Sequence, residues 1–217
     1  MKYAWSYSSL DQFKQCPHKY YRLRVVKDIV EPESEAMRYG TEVHKAAEDF
    51  IKDGTPIPEK FAFMRPILEP VSKIKGSVLC EYRMGLTRDL APCGFFDKDV
   101  WCRGIADLIV LQEDRAWVVD YKTGSNKYPE PKQLKLMALM TFAHFPEVQH
   151  VKAGLLFVAH NSFMDEQYSR GDIPKLWSAF QGDLTRLEHS TKANFWPMNP
   201  SPLCRWCPVT TCEFHKD

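Results

Sequence analysis

The stretch Val118–Val119–Asp120–Tyr121–Lys122–Thr123–Gly124 ends a run of strand-forming residues with an acid and a base two positions apart. On an extended strand these two side chains share a face, and Val119 and Tyr121 take the other. Two chemistries fit such a pair. One is an exposed ion pair, worth about 0–1 kcal/mol. The other is a carboxylate that holds a divalent cation beside an amine that positions or deprotonates water. Asp107 favours the second, because it is the single carboxylate in the nearly continuous apolar run GIADLIVL, and a buried ionised carboxylate needs a partner. If the strands joined by the short Gln112–Arg115 turn are antiparallel, Asp107 comes near Asp120. Two carboxylates that close repel unless one is protonated or a cation lies between them. Mg²⁺ or Mn²⁺ takes oxygen ligands and suits hydrolysis of a phosphate ester.

Three further residues extend this set. His44 lies on the inward stripe of a helix expected over about 34–52, where Met37, Gly40, Val43, Ala47, Phe50 and Ile51 keep helical spacing. Its imidazole suits Mn²⁺ better than Mg²⁺, although a lone inward histidine is more often a hydrogen-bonded core residue. Glu81 falls on the more polar face of a strand that alternates from Val78 to Leu86, and offers an oxygen ligand or a solvated strand face. Gln133 opens a largely buried helix that extends to Phe145.

The elements that must position these residues follow in order. Ser9–Leu10–Asp11–Gln12 reads as a capping box opening a short helix that Pro17 interrupts. Residues 58–75 read as helical with breaks at Pro66 and Pro70. Strands are expected over 78–86, 101–111 and 116–122, then in HVKAGLLFVAH and DEQYSR, before a long helix from Asp172. No repeat or low-complexity linker divides the 217 residues, so a single α/β domain is the expectation.

Composition narrows the class. The net charge is +1, so a surface for a polyanion must be local. The segment HKYYRLRVVK supplies such a surface, with Tyr20, Arg22, Arg24 and Lys27 as candidate DNA contacts, or else it is an ordinary solvated helix. No apolar run reaches a membrane span and the first residues lack a signal core, which leads to the expectation of a soluble, cytoplasmic, bacterial or phage-encoded chain. Seven cysteines in a reducing compartment point to metal rather than disulfides. Cys204, Cys207 and Cys212 cluster near one end, and His215 can complete a local zinc site with them. Alternatively Cys16, which like Cys207 precedes proline, is the fourth thiolate of an iron–sulfur cluster. A thioredoxin-like role for CRWC is the weakest reading.

The ordered set GTEVH, CEYRMGL, GIADLIV, VVDYKTG and QLKLMALM resembles the PD-(D/E)xK nuclease superfamily and, within it, the RecB-like exonuclease group, over about residues 6–212. The resemblance implies a restriction-endonuclease-like core of about 34–196, with a central mixed sheet flanked by helices, in a single nuclease domain. It implies a metal held by His44, Asp107, Asp120 and the Tyr121 carbonyl. Lys122 would be the catalytic base or water-orienting group, Glu81 would assist, and Gln133 would bind near the site. The group often carries tyrosine four residues after this glutamine, where Met137 stands here. SYSSLDQFKQCPHKYY and PLCRWCPVTTC look like the two cysteine-bearing halves of AddB-type and CRISPR-associated nucleases, which hold a 4Fe–4S cluster. Cys16, Cys204, Cys207 and Cys212 would then join segments of about 6–27 and 200–215. The expected activity is a divalent-metal-dependent DNA exonuclease acting at ends or on single strands, in repair, recombination or phage DNA metabolism. The alternative is a non-catalytic, metal-stabilised nucleic-acid-binding module. Protein partners are not legible.

Overall fold

The computed structural model describes residues 4–127 and 131–215. Its strands are β1 (Ser77–Leu86), β2 (Pro92–Cys93), β3 (Cys102–Gln112), β4 (Arg115–Lys122), β5 (His150–Phe157) and β6 (Ser162–Ser169). They form one sheet in the order β2–β1–β3–β4–β5–β6. Neighbours are antiparallel except β4 and β5. A parallel pair needs a crossover, which α5 (Lys132–His144) supplies. The mixed, helix-flanked α/β fold expected from the sequence is the fold observed.

The chain divides into two compact units, 34–177 and the pairing of 1–33 with 178–217. In the larger unit, α3 (Glu35–Asp53) starts where Ser34 Oγ accepts from Met37 N–H, a cap worth about 1 kcal/mol. It stops at Gly54, whose φ of 68° is the left-handed conformation that glycine takes at low cost. Its inner stripe of Val43, Ala46 and Ala47 packs into one cluster with Leu108, Val110, Val119 and Tyr121 of the sheet. Met37, expected on that stripe, is 52% exposed: it belongs to the first turn, and its place on the stripe is corrected accordingly. Residues 59–64 form a 3₁₀ turn leading into α4 (Arg65–Ser72), with Pro66 in the first turn, where proline is tolerated, and Pro70 inside the helix. At the other end of the sheet Arg170 closes α5, donating to the carbonyls of Phe142, Phe145 and Val148.

In the smaller unit the capping box is formed by Ser6 and Ser9 rather than opening at Ser9, so α1 runs Tyr7–Gln15. Cys16 then caps α2 (Pro17–Tyr20), its Sγ accepting from Lys19 N–H, and Pro17 occupies the first helical position. A π-helical turn, Tyr21–Val26, follows. Trp196 stacks on Tyr20 and Tyr21, with centroids 5.8 and 5.3 Å away. Asn199 donates to the Gln15 carbonyl at 2.8 Å, so the two ends of the chain share one small core. The long helix α6 spans Ile173–Ala193.

Candidate active site

The β3–β4 ladder ends at Leu108↔Val119, while β4 stays paired with β5 as far as Lys122↔Phe157. Asp107 and Asp120 occupy the next step, where the two strands part. Backbone freed there turns to the carboxylate: Tyr121 N–H donates to Asp107 Oδ2 at 2.6 Å. His44, projecting from α3, brings Nδ1 to 3.4 Å from the same oxygen. Its ring meets Tyr121 edge-on, with centroids 5.8 Å apart.

Glu81 joins this group from β1. The ligand atoms of His44, Glu81 and Asp107 all lie within 4.8 Å of one another, a spacing that fits one cation. Glu81 does so by leaving the expected alternation, because its φ of 49° puts it in the left-handed region. Cys80 packs with the α3 cluster, whereas Tyr82, two residues on, lies 5.5 Å from Phe145 at the end of α5. The strand therefore changes phase at Glu81. The sequence reading that placed Glu81 on a regular polar face is corrected accordingly, since a residue in this conformation does not alternate.

On the α5 side of the fork, Lys122 Nζ lies 2.7 Å from Asp120 Oδ2 and donates to Gln133 Oε1 at 2.9 Å. Gln133 Nε2 donates to Asp120 Oδ1 at 2.6 Å. Asp120 Oδ2 is a buried oxygen that Lys122 Nζ meets as an ion pair. A buried carboxylate oxygen beside an oxygen and imidazole donor set fits a divalent cation.

The electrostatics agree with that fit. Burial, and then the neighbouring Asp107, hold the Asp120 carboxyl above its usual range, and Lys122 only partly offsets them. Glu81 is raised by the same two causes. Burial works against the charged His44 imidazole, yet Asp107, Asp120 and Glu81 together outweigh it and raise the group. A centre crowded with negative charge thus raises the proton affinity of its own carboxyls and imidazole.

A cleft of about 530 Å³ opens on this group, lined by Gly40, Thr41, His44, Lys45, Glu48 and Glu81 among others. Glu48 was missed in the sequence. Its signal was available, because it follows His44 by four residues, the spacing that shares a helix face. Lys45 and Lys52 approach its carboxylate at 3.4 and 3.6 Å.

The cysteines form a separate feature in the smaller unit. Cys16, Cys204, Cys207, Cys212 and His215 line one cavity of about 250 Å³. Burial raises the Cys207 thiol, and Cys16 and Cys204 add to the effect. The remaining candidates separate. Tyr20 is buried, its ring held by Phe13 and Trp196, so it offers no face to a base, and its reading as a DNA contact is corrected to a core role. Arg22 is engaged by Asp28 and Thr211. Arg24, which meets Gln12, and Lys27 are exposed.

The family model of the PD-(D/E)XK nuclease superfamily matches residues 4–212. The chain belongs to this superfamily. Membership implies a metal-dependent nuclease, hence a hydrolase with DNA as substrate, and agrees with the sheet and the His44–Glu81–Asp107 group. Among curated proteins none matches the chain. Among solved structures, the crystal structure of SSO0001 aligns at 13% identity over 96% of this chain and 86% of its own, with a TM-score of 0.40. No described helix is long and apolar enough to cross a membrane.

Proposed function

We propose that this chain is a RecB-like, divalent-metal-dependent DNA exonuclease acting at ends or on single strands. The observation that carries the reading is the pairing of two adjoining groups at one strand fork: His44–Glu81–Asp107 and Asp120–Lys122–Gln133. His44, Glu81 and Asp107, with Asp120 and the Tyr121 carbonyl, would hold Mg²⁺ or Mn²⁺, which when bound would supply neutralisation of phosphate charge and activation of water. The protein's own groups do the positioning. The Tyr121 amide fixes Asp107, and Gln133 fixes both Asp120 and Lys122 through its two amide atoms. Lys122 Nζ, engaged as a donor between a carboxylate and an amide oxygen, orients the attacking water and meets charge as it develops on the phosphate.

The single nuclease domain, with a core of about 34–196, the cytoplasmic location and a role in repair, recombination or phage DNA metabolism belong to the same proposal. Arg24 and Lys27 are its candidate phosphate contacts. So does a 4Fe–4S cluster on Cys16, Cys204, Cys207 and Cys212. All four cysteines line one cavity, which supports Cys16 as a ligand; zinc on Cys204, Cys207, Cys212 and His215 is the alternative.

The test is digestion of 5′- and 3′-labelled single- and double-stranded DNA with Mg²⁺ or Mn²⁺. Asp120→Ala and Lys122→Ala are expected to lower the rate by several orders of magnitude. Unchanged rates in both variants sink the assignment, and binding without cleavage by the wild type moves it to a non-catalytic module. A brown preparation with iron bound in the ratio of a four-iron cluster supports the cluster. A colourless protein purified without oxygen, with one zinc per chain, overturns it.

A further inference from the structure

Next to the candidate centre, on the same unit, two aromatic rings, one half-buried and one exposed, are bracketed by two arginines. Phe95 and Phe96 follow β2 and meet edge-to-face, with centroids 5.0 Å apart. The Arg83 guanidinium of β1 lies 5.8 Å from each ring, and that of Arg103 on β3 lies 5.3 and 5.8 Å away. Phe96 is 73% exposed, and Ile105 on β3, the strand partner of Arg83, is 42% exposed. Large apolar rings left in water beside cations that they attract are poor surface design unless something covers them.

The register places this cluster on one face. Arg83 pairs with Ile105 and Gly85 with Arg103. Gly104, between Ile105 and Arg103, has its Cα turned towards Met140 of α5, so that an added Cβ would lie 2.5 Å from Met140 Sδ. Ile105 and Arg103 therefore face away from α5. Arg83 is two residues along β1 from Glu81, and Arg103 is four along β3 from Asp107. At about 3.3 Å per residue these are distances of about 7 and 13 Å, within reach of the nucleotides next to a reacting one.

The partner's chemistry follows from the pair of groups. Among the described residues neither guanidinium is held by a carboxylate, and Arg103 Nε is buried without a hydrogen-bond partner. In the loop itself, Asp97 accepts from Gly94 N–H at 2.6 Å. Free guanidinium groups select phosphate, and an open ring selects the flat face of any base. A duplex hides its base faces in its own stack, whereas a single strand presents them.

We propose that Phe95, Phe96, Arg83 and Arg103 form a stacking platform that holds the end of single-stranded DNA beside the active site. The fate of the strand rests on the nuclease reading; its capture does not. Stacking on the rings makes the hold tolerant of sequence, and the requirement for free base faces makes it selective for single strands.

The experiment is fluorescence anisotropy with a labelled oligo(dT) and a blunt duplex of equal length, with Ca²⁺ in place of Mg²⁺. It compares the full-length wild type with Phe96→Ala, Phe95→Ala/Phe96→Ala and Arg83→Lys, each checked for an unchanged melting temperature. Phe96→Ala is expected to weaken single-strand binding about 10-fold, the size of one base–aromatic stack, and to leave duplex binding within twofold. The double variant is expected to lose more. Arg83→Lys keeps the charge but loses the planar contact with the rings, and falls between them. Single-strand binding within twofold of wild type in both phenylalanine variants overturns the platform, as does a wild type that binds no single strand. If the wild type binds and Phe96→Ala does not, while neither cleaves DNA in Mg²⁺, the platform stands and the nuclease reading fails.

Discussion

Glu81 and Asp107 stand opposite each other across β1 and β3, at the one step between Ser77↔Leu111 and Leu86↔Cys102 where the ladder forms no pair. Elsewhere in that stretch the register is continuous, so the gap is local. Where that rung is given up, the two carboxylates and His44 bring their ligand atoms together. The local cost is a glutamate in the left-handed region, about 1–2 kcal/mol for a residue with a Cβ.

That cost can be measured apart from the carboxylate. Glu81→Ala and Glu81→Gly both remove the ligand, but only glycine accepts a φ of 49° freely. Urea denaturation of the metal-free protein is expected to find the glycine variant more stable than the alanine variant by about 1 kcal/mol. Equal midpoints would mean that the conformation stores no strain. Both variants are expected to need more Mg²⁺ or Mn²⁺ for cleavage.

Gln133 holds Asp120 and Lys122 at once. Gln133→Ala is expected to lower cleavage about 10- to 100-fold, as loss of an outer partner of a metal site does. The accompanying sign is a rise in the metal concentration needed for half-maximal rate. A rate that falls with no change in metal requirement would assign Gln133 to the substrate instead.

The raised Asp120 carboxyl sets a pH dependence for the metal-free protein. A carboxyl whose folded pKa lies above its unfolded value stabilises the fold at low pH, and that contribution is lost as pH rises through the folded value. His44, raised above its ordinary 6.5, acts in the same direction in a higher window. Asp120→Asn removes the first effect. Its melting temperature relative to wild type is therefore expected to rise with pH from about 4 to 8, by about 2–4 °C for each kcal/mol. A difference independent of pH would refute the raised carboxyl.

Gly104 lets Met140 of α5 lie directly on β3. Gly104→Ala is expected to destabilise the protein by about 1–3 kcal/mol through overpacking, and Met140→Ala in the same chain to recover part of it. Additive losses in thermal denaturation would show that the two side chains do not meet.

The parts of the site that the sequence disclosed are those where one residue stands out against its surroundings. Asp107 is a lone charge in an apolar run, Lys122 follows Asp120 at strand spacing, and Gln133 opens an apolar helix; in the structure Asp120, Lys122 and Gln133 contact one another. His44 was legible from its helical phase beside Val43 and Ala47. The left-handed Glu81 was not, because no glycine or asparagine marks it. The two-residue β2 is too short to show a period. Ser6 and Ser9 can each cap a helix, and only tertiary packing chooses between them. Tyr20 looked like a surface aromatic because Trp196, which buries it, lies far along the chain.

The smaller unit also constrains the order in which the molecule is made. Its two halves, up to residue 33 and from 178 on, are separated by the whole larger unit. On a ribosome the first helices emerge with Phe13 and Tyr20 still lacking the tryptophan that covers them. The strands of 34–177 can pair while those helices wait, since domains form as their residues become available. Closing the smaller unit then waits for the segment from 178 on. Cys16 precedes Cys204, Cys207 and Cys212 by the whole larger unit, so any metal that joins all four is loaded after the residues of that unit have been made.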